Sequence, residues 1–122
     1  MNPREIAALV CKTLDDKRAQ DIRVLEVGDL TVLADFFVLA TATSGTHMKT
    51  LAGECEMKLK EKGIVPHHVE GHRSGNWILL DLGAVVIHVF LQETRAFYSV
   101  ERLWADAKTW DLEELIGKGD AV

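Results

Sequence analysis

The chain has 122 residues, of which 48% are hydrophobic, and 14 basic against 19 acidic side chains give it a formal net charge of -5. This length suffices for one domain that buries a core without disulfides or metal, and the apolar fraction excludes an intrinsically disordered chain. No apolar run approaches the ~18 residues that span a bilayer. The acidic balance argues against direct nucleic-acid specificity, because such binding rests on neutralised phosphates. We therefore expect that a macromolecular partner would present a basic protein surface.

The first residues and the cysteines indicate the cellular compartment. The N-terminus, MNPREIAALV, lacks the basic region and long apolar segment of a secretory signal. Cys11 and Cys55 lie far apart, each on the apolar side of a helical pattern, so we expect two reduced, buried thiols. These features favour a cytoplasmic protein.

The N-terminal half predicts two helices and two strands. Asn2-Pro3-Arg4-Glu5 carries the residues that begin a helix, and apolar residues at helical spacing continue to about residue 19. Ile22–Val27 alternates like a strand, whereas the apolar run Phe36–Ala40 is typical of a central strand covered on both faces. A second helix follows Thr41–Thr46, and Gly63 is a suitable residue to end it.

The C-terminal half predicts three more strands and a helix. The strands are expected at Pro66–Glu70, Trp77–Leu82 and Ala84–Phe90. A last helix is expected from Thr94 to about Trp104, and Trp110–Ile116 could add a frayed turn. The order α-β-β-α-β-β-β predicts a single α/β domain with a mixed five-stranded sheet and helices packed against it.

The segment WILLDLGAVVIHVF, residues 77–90, is the clearest hairpin. With Leu82-Gly83 as a two-residue turn, Trp77 would face His88 across the hairpin. One face would then be aliphatic, with Ile78, Leu80, Val85, Ile87 and Val89. The other would carry Trp77, Leu79, Asp81, Val86, His88 and Phe90. The first face predicts a core, and the second predicts an amphipathic surface of a composition that interfaces favour.

A histidine-rich stretch, HHVEGHRSGNW, raises the possibility of a metal site. In a strand, His68, Glu70 and His72 would project to one side, where imidazole and carboxylate groups could share a zinc ion. Gly71 interrupts that strand and no fourth ligand stands nearby, so we expect no bound metal and interpret the histidines as solvated or packed. His88, in mid-strand, is more typical of a hydrogen-bonded sheet residue than of a ligand.

The connection Thr43–Thr46 is the best candidate for an enzymatic site. Amides at the start of a helix attract phosphate, but the segment lacks the glycines and the lysine of a P-loop, so an ordinary helix cap is expected. No closely spaced pair of carboxylates could hold the metal ions of nucleotidyl transfer, and Ser44 sits in no nucleophile elbow. We expect no enzyme and no cofactor, with a nucleotide-binding or nucleotidyltransferase-like enzyme as the alternative.

The segment Arg95–Trp104 is rich in aromatic residues. A helix lying on a sheet cannot bury Phe97, Tyr98, Leu103 and Trp104 equally. We expect Phe97 and Trp104 in the core, and Tyr98 either in the core or at an interface.

Several segments together resemble one family. They are ADFFVLAT (34–41), EG (70–71), WILLDLG (77–83), VIHVF (86–90), RAFY (95–98) and LWAD (103–106). In this order and spacing they resemble the ribosomal silencing factor family, RsfS, also called Iojap-like, over about residues 6–107. We accordingly place the family domain at residues 1–107 and an acidic C-terminal tail at residues 108–122.

The resemblance implies a nucleotidyltransferase-like fold without its catalytic acids, and no reaction. It also implies binding to large-subunit ribosomal protein fourteen, obstruction of small-subunit joining, lower translation when nutrients are scarce, and a homodimer in the free state. We therefore predict a docking surface with Trp77 as its anchor. Its residues are Glu70, Trp77, Leu79, Asp81, His88 and Tyr98.

Overall fold

A computed structural model describes residues 1–71 and 75–116. Its elements are α1 (Pro3–Asp16), β1 (Gln20–Glu26), β2 (Phe36–Ala42), α2 (Gly45–Glu61), β3 (His68–Glu70), β4 (Trp77–Asp81), β5 (Val85–Leu91), α3 (Gln92–Tyr98), α4 (Val100–Leu103), β6 (Lys108–Trp110) and α5 (Leu112–Ile116). The strands form one sheet in the order β3-β4-β5-β2-β1-β6. The two central strands, β2 and β5, run parallel and the other neighbours run antiparallel. This architecture confirms the predicted α/β class and the mixed sheet.

The helix boundaries follow the capping residues in the sequence. The Asn2 side chain accepts a hydrogen bond from the Glu5 amide at 2.8 Å, and the Glu5 carboxylate accepts one from the Asn2 amide at 2.9 Å. Gly63, just after α2, has a φ of 77°, which suits the left-handed end of a helix. None of the helices that the structure describes is long and apolar enough to cross a membrane.

The core lies between the sheet and helices α1 and α2. The predicted aliphatic face of the hairpin is fully buried there, with Ile78, Leu80, Val85, Ile87 and Val89 all 0% exposed. All seven residues of β2 are buried, as expected for a central strand. Cys11 and Cys55 are buried free thiols, and burial raises the pKa of each to about 12, so both remain protonated.

The predicted pairing within the β4–β5 hairpin is wrong by two residues. Trp77 pairs with Phe90 and Asp81 with Val86, so the connection spans residues 82–85. The longer turn is stabilised because the Asp81 carboxylate accepts a 2.8 Å hydrogen bond from the amide of Gly83, whose φ of 88° favours glycine. Because side chains alternate with period two, a shift of two leaves both predicted faces unchanged.

The sheet has six strands where five were expected, because residues 108–110 form β6 along the outer edge of β1. Trp110 secures this strand: its indole N–H donates to the Glu26 carboxylate at 2.8 Å, and the cations of Arg4 and Lys108 lie 4.7 and 4.0 Å from its ring centroid. α5 then packs on α1. The fold thus continues past residue 107 through residue 116, and the rest of the expected tail lies outside the described residues. Because β6 has three residues, it is too short to be recognised in the sequence by alternation of apolar and polar side chains.

The helix expected from Thr94 to Trp104 is also divided. Ser99 adopts a left-handed φ of 48°, so α3 ends at Tyr98 and α4 begins after the break. Phe97 is 81% exposed, so its predicted place in the core is wrong. The reason is that Arg95 occupies the buried side of α3, and a residue two positions away points to the opposite side of a helix. Trp104 is half-buried, with its ring 5.1 Å from Phe37.

Candidate docking surface

The second face of the sheet, opposite α1 and α2, is open over β3, β4 and part of β5. Register places Glu70, Leu79 and His88 in one row across this face, with Trp77 beside Phe90 in the same face. Asp81 shares it, since it lies two positions after Leu79 along β4 and side chains two positions apart lie on the same face. Tyr98 reaches it from α3, with its ring centroid 4.8 Å from that of Trp77. The six predicted residues therefore lie together, and we call this surface the aromatic face.

Trp77 lies at the centre of the aromatic face. Its ring is 5.2 Å from Phe90 and 4.8 Å from Tyr98, and its indole N–H donates to Nδ1 of His88 at 3.3 Å. The side chain is half-buried, so one part of the indole is held by neighbours and another part faces solvent. A rigid, partly exposed indole of this kind is typical of residues that dominate protein interfaces.

His88 lies beneath Trp77 and is only 7% exposed. Burial lowers its pKa to about 4, so the ring is neutral at pH 7. Because Nδ1 accepts from Trp77, the proton resides on Nε2, which has no hydrogen-bond partner in the part of the chain that the structure describes. His88 thus contributes to the aromatic face by supporting the indole, and its own exposed area is small.

Two carboxylates flank the indole in different ways. The Glu70 side chain is 64% exposed, with a carboxylate oxygen 2.7 Å from Nε2 of His68. Asp81 is half-buried and its carboxylate accepts a hydrogen bond from the Gly83 amide, so it stabilises the turn and also forms part of the aromatic face. Beside them lies a cavity of about 310 Å³, whose lining is Glu70, Gly71, Asn76, Trp77 and Leu79.

The structure also describes most of the candidate metal site and the whole candidate phosphate site. Within residues 1–71 and 75–116 no cluster of three His, Cys, Asp or Glu side chains could hold a metal ion, and His72 lies outside those residues. At the start of α2, the Thr43 amide donates to Nδ1 of His47 at 3.0 Å, and the His47 amide donates to the Ser44 hydroxyl at 3.0 Å. The chain's own side chains thus cap this helix, as predicted.

Two exposed side chains extend the apolar surface beyond the predicted residues. Phe97 is 81% exposed and its ring lies 5.1 Å from that of Tyr98, edge to face. Leu103, in α4, is 77% exposed. Their helical spacing was visible in the sequence, but their exposure depends on the break at Ser99 and on the burial of Arg95, neither of which has a local sequence signal.

Charge is distributed unevenly along the chain. Residues 1–18 and 45–62, which contain α1 and α2, carry 8 basic and 6 acidic side chains. Residues 19–44 and 63–116, which contain the sheet, α3, α4 and α5, carry 5 basic and 12 acidic side chains. Two of these acidic residues belong to α5, which packs on α1. The remaining segments, which include the aromatic face, are still acidic in balance, and a positively charged partner would be attracted to them.

Comparison with known proteins identifies the family. The family model described as ribosomal silencing factor during starvation, RsfS, matches residues 1–121. The chain is 36% identical to a ribosomal silencing factor RsfS of Halalkalibacterium halodurans, covering 95% of this chain and 99% of that protein. A crystal structure of a Chromobacterium violaceum protein, 40% identical, superposes with a TM-score of 0.84 over 86% of this chain and 88% of the other. By sequence and by fold, the chain belongs to the ribosomal silencing factor family, RsfS.

Proposed function

We propose that this protein silences ribosomes by docking its aromatic face on large-subunit ribosomal protein fourteen, so that the small subunit cannot join. The observation that carries the proposal is Trp77, whose indole is held by Phe90, Tyr98 and His88 while part of it remains exposed. Such an anchor gains binding energy without first losing side-chain freedom. The protein performs no reaction and acts by occupying a surface.

The charges around the anchor suit a basic ribosomal protein. Glu70 is exposed at the edge of the aromatic face, and residues 19–44 and 63–116, which include this face, carry more acidic than basic side chains. Complementary charge speeds encounter and rejects partners of the same sign. RNA would be repelled by this face, so we place the contact on protein. The family description refers to starvation, and we propose that the protein acts in the cytoplasm when nutrients are scarce.

We propose further that the free protein is a homodimer. Phe97 and Leu103 leave large apolar areas in solvent, and such areas commonly pair in symmetric dimers. A dimer built on these residues would adjoin the aromatic face and would have to separate before docking. Sedimentation over a range of concentrations tests the free state, and a single monomeric species throughout would contradict the proposal.

Light scattering of separated ribosomal subunits tests the main proposal. We expect added protein to suppress the rise in scattering that accompanies subunit joining, and the Trp77→Ala variant to lose this effect. The matched control is Lys58→Ala, which alters an exposed residue of α2 on the opposite side of the sheet. Normal joining at saturating protein would contradict the proposal, and nucleotide turnover in the same preparation would support the enzymatic alternative.

A further inference from the structure

Arg95 is a buried cation next to the aromatic face. The residue is 6% exposed, and it is the one charged side chain among the buried residues of the described chain once His88 is neutral. Burying a guanidinium is unfavourable unless its charge and its donors are matched. The contacts of the Arg95 side chain therefore indicate which parts of the fold its burial stabilises.

The guanidinium joins four elements of the fold. Its Nη1 donates to the main-chain oxygen of Asp21 in β1 at 2.7 Å and to the hydroxyl of Thr41 in β2 at 2.9 Å. Its Nε and Nη2 donate to one carboxylate oxygen of Glu101 in α4 at 3.2 and 2.9 Å. Because the guanidinium is planar and its donors have fixed directions, these bonds set the angle of α3 on the sheet as well as its position.

Two unusual backbone conformations surround this side chain. Asp21 and Ser99 have φ values of 47° and 48°, in the left-handed region that non-glycine residues avoid. Asp21 supplies the main-chain acceptor for Arg95, and the Ser99 amide donates to the Arg95 main-chain oxygen at 2.9 Å. Such conformations persist when surrounding contacts require them, and the Arg95 side chain supplies a contact of this kind at Asp21.

A series of contacts connects Arg95 to Trp77, the proposed docking anchor. It lies three residues before Tyr98 in α3, so both side chains leave the same side of the helix. Cζ of Arg95 stands 5.8 Å from the ring centroid of Phe90, which is 5.2 Å from Trp77, whose ring is 4.8 Å from Tyr98. These contacts link α3 to the sheet through four side chains, so a rotation of α3 would move Tyr98 relative to Trp77.

We propose that Arg95 is the positioning residue of the aromatic face, holding Tyr98 against Trp77 in the arrangement that docks. The inference rests on the function proposed above. An apolar residue could fill the same space with less desolvation, but it would not fix the angle of α3. Arg95 itself does not touch the partner.

A double-mutant cycle on Arg95→Lys and Tyr98→Ala tests the inference. Affinity for purified ribosomal protein fourteen is measured for the parent protein, both single variants and the double variant. Lysine keeps the charge and loses the fork of donors, so we expect Arg95→Lys to fold and to bind about tenfold more weakly. Because Arg95 acts through Tyr98, the double variant should bind as weakly as Tyr98→Ala alone. The matched control, Arg102→Lys, changes an exposed cation of α4 and should bind normally.

A second measurement separates positioning from general loss of stability. With 5-fluorotryptophan incorporated, the ¹⁹F NMR signal of Trp77 should move or broaden in Arg95→Lys, while that of Trp110, in β6, should stay in place. Additive losses in the cycle, or an unchanged Trp77 signal, would overturn the role of Arg95. Failure of the parent protein to bind would overturn the proposed function and this inference together, whereas normal binding by Arg95→Lys would overturn the inference alone.

Discussion

The indole N–H of Trp77 donates to Nδ1 of His88, so the half-buried indole at the centre of the aromatic face is held by a buried, neutral imidazole. The hydrogen bond fixes the imidazole tautomer as well as the orientation of the indole. His88 also stacks on Phe90, with ring centroids 5.9 Å apart, and meets Phe37 edge to face at 5.4 Å. The orientation of the anchor is therefore determined within the fold before any partner arrives.

Replacement of Trp77 should impair docking more than stability. A central indole truncated in an interface commonly costs about 2 kcal/mol or more, which is about thirtyfold in affinity, and we expect Trp77→Ala to show a loss of this size. The variant should still fold, because Trp77 is half-buried and outside the main core. Thermal unfolding and affinity for ribosomal protein fourteen are the measurements.

Trp110→Phe is the matched control for that substitution. It removes the hydrogen bond to Glu26 on the far edge of the sheet, so the melting temperature should fall slightly while the affinity is retained. A Trp77→Ala protein that melts much earlier than Trp110→Phe, or that binds as well as the parent, would contradict the role of Trp77 as anchor.

His88 should make stability depend on pH. Its pKa is about 4 in the folded protein against 6.5 ordinarily, so the unfolded chain binds a proton more readily. Stability is fully present above pH 6.5 and is lost as the pH falls from there towards 4, by up to about 3 kcal/mol. Urea unfolding between pH 4.5 and 7.5 should show this slope in the parent and a shallower one in His88→Gln. Equal slopes would disprove the assignment.

Removal of each of the two flanking carboxylates should have a different effect on stability. Asp81→Ala removes the acceptor of the Gly83 amide, so the free energy of unfolding should fall by about 1 kcal/mol. Glu70→Ala removes an exposed charge and should leave stability nearly unchanged. Both variants should associate more slowly with the ribosomal protein at low salt, and the difference from the parent should shrink as salt is added. Salt-independent losses would argue against charge steering.

Residues 108–116 should be needed for stability. A chain ending at residue 107 loses β6 and α5, and leaves Val24 and Glu26 without their partners on the β6 side of β1. We expect it to melt at a markedly lower temperature than a chain ending at Ile116, which keeps every contact described here. Equal melting temperatures of these two chains would support the domain boundary expected at residue 107.

Long periodic patterns were enough to predict much of this fold. The alternation in residues 77–90 identified both faces of β4 and β5, because side-chain direction depends only on strand parity. Register was not predictable, since it depends on a turn in which the Asp81 carboxylate accepts a hydrogen bond from the Gly83 amide. β6 and the break at Ser99 were missed for a related reason. β6 is held by a distant partner, Glu26, and the break at Ser99 depends on a left-handed backbone conformation at a residue other than glycine; no local pattern displays either feature.

The parallel pairing of β2 with β5 also determines when the aromatic face can exist during synthesis. β2 reaches its central partner only after α2, β3 and β4 have been made, so the middle of the sheet closes late and across a long stretch of chain. Phe90 and Tyr98, which hold Trp77, come later still. A nascent chain that has yet to release α3 therefore displays the Trp77 indole without Tyr98. The complete aromatic face forms only once α3 has folded onto the sheet.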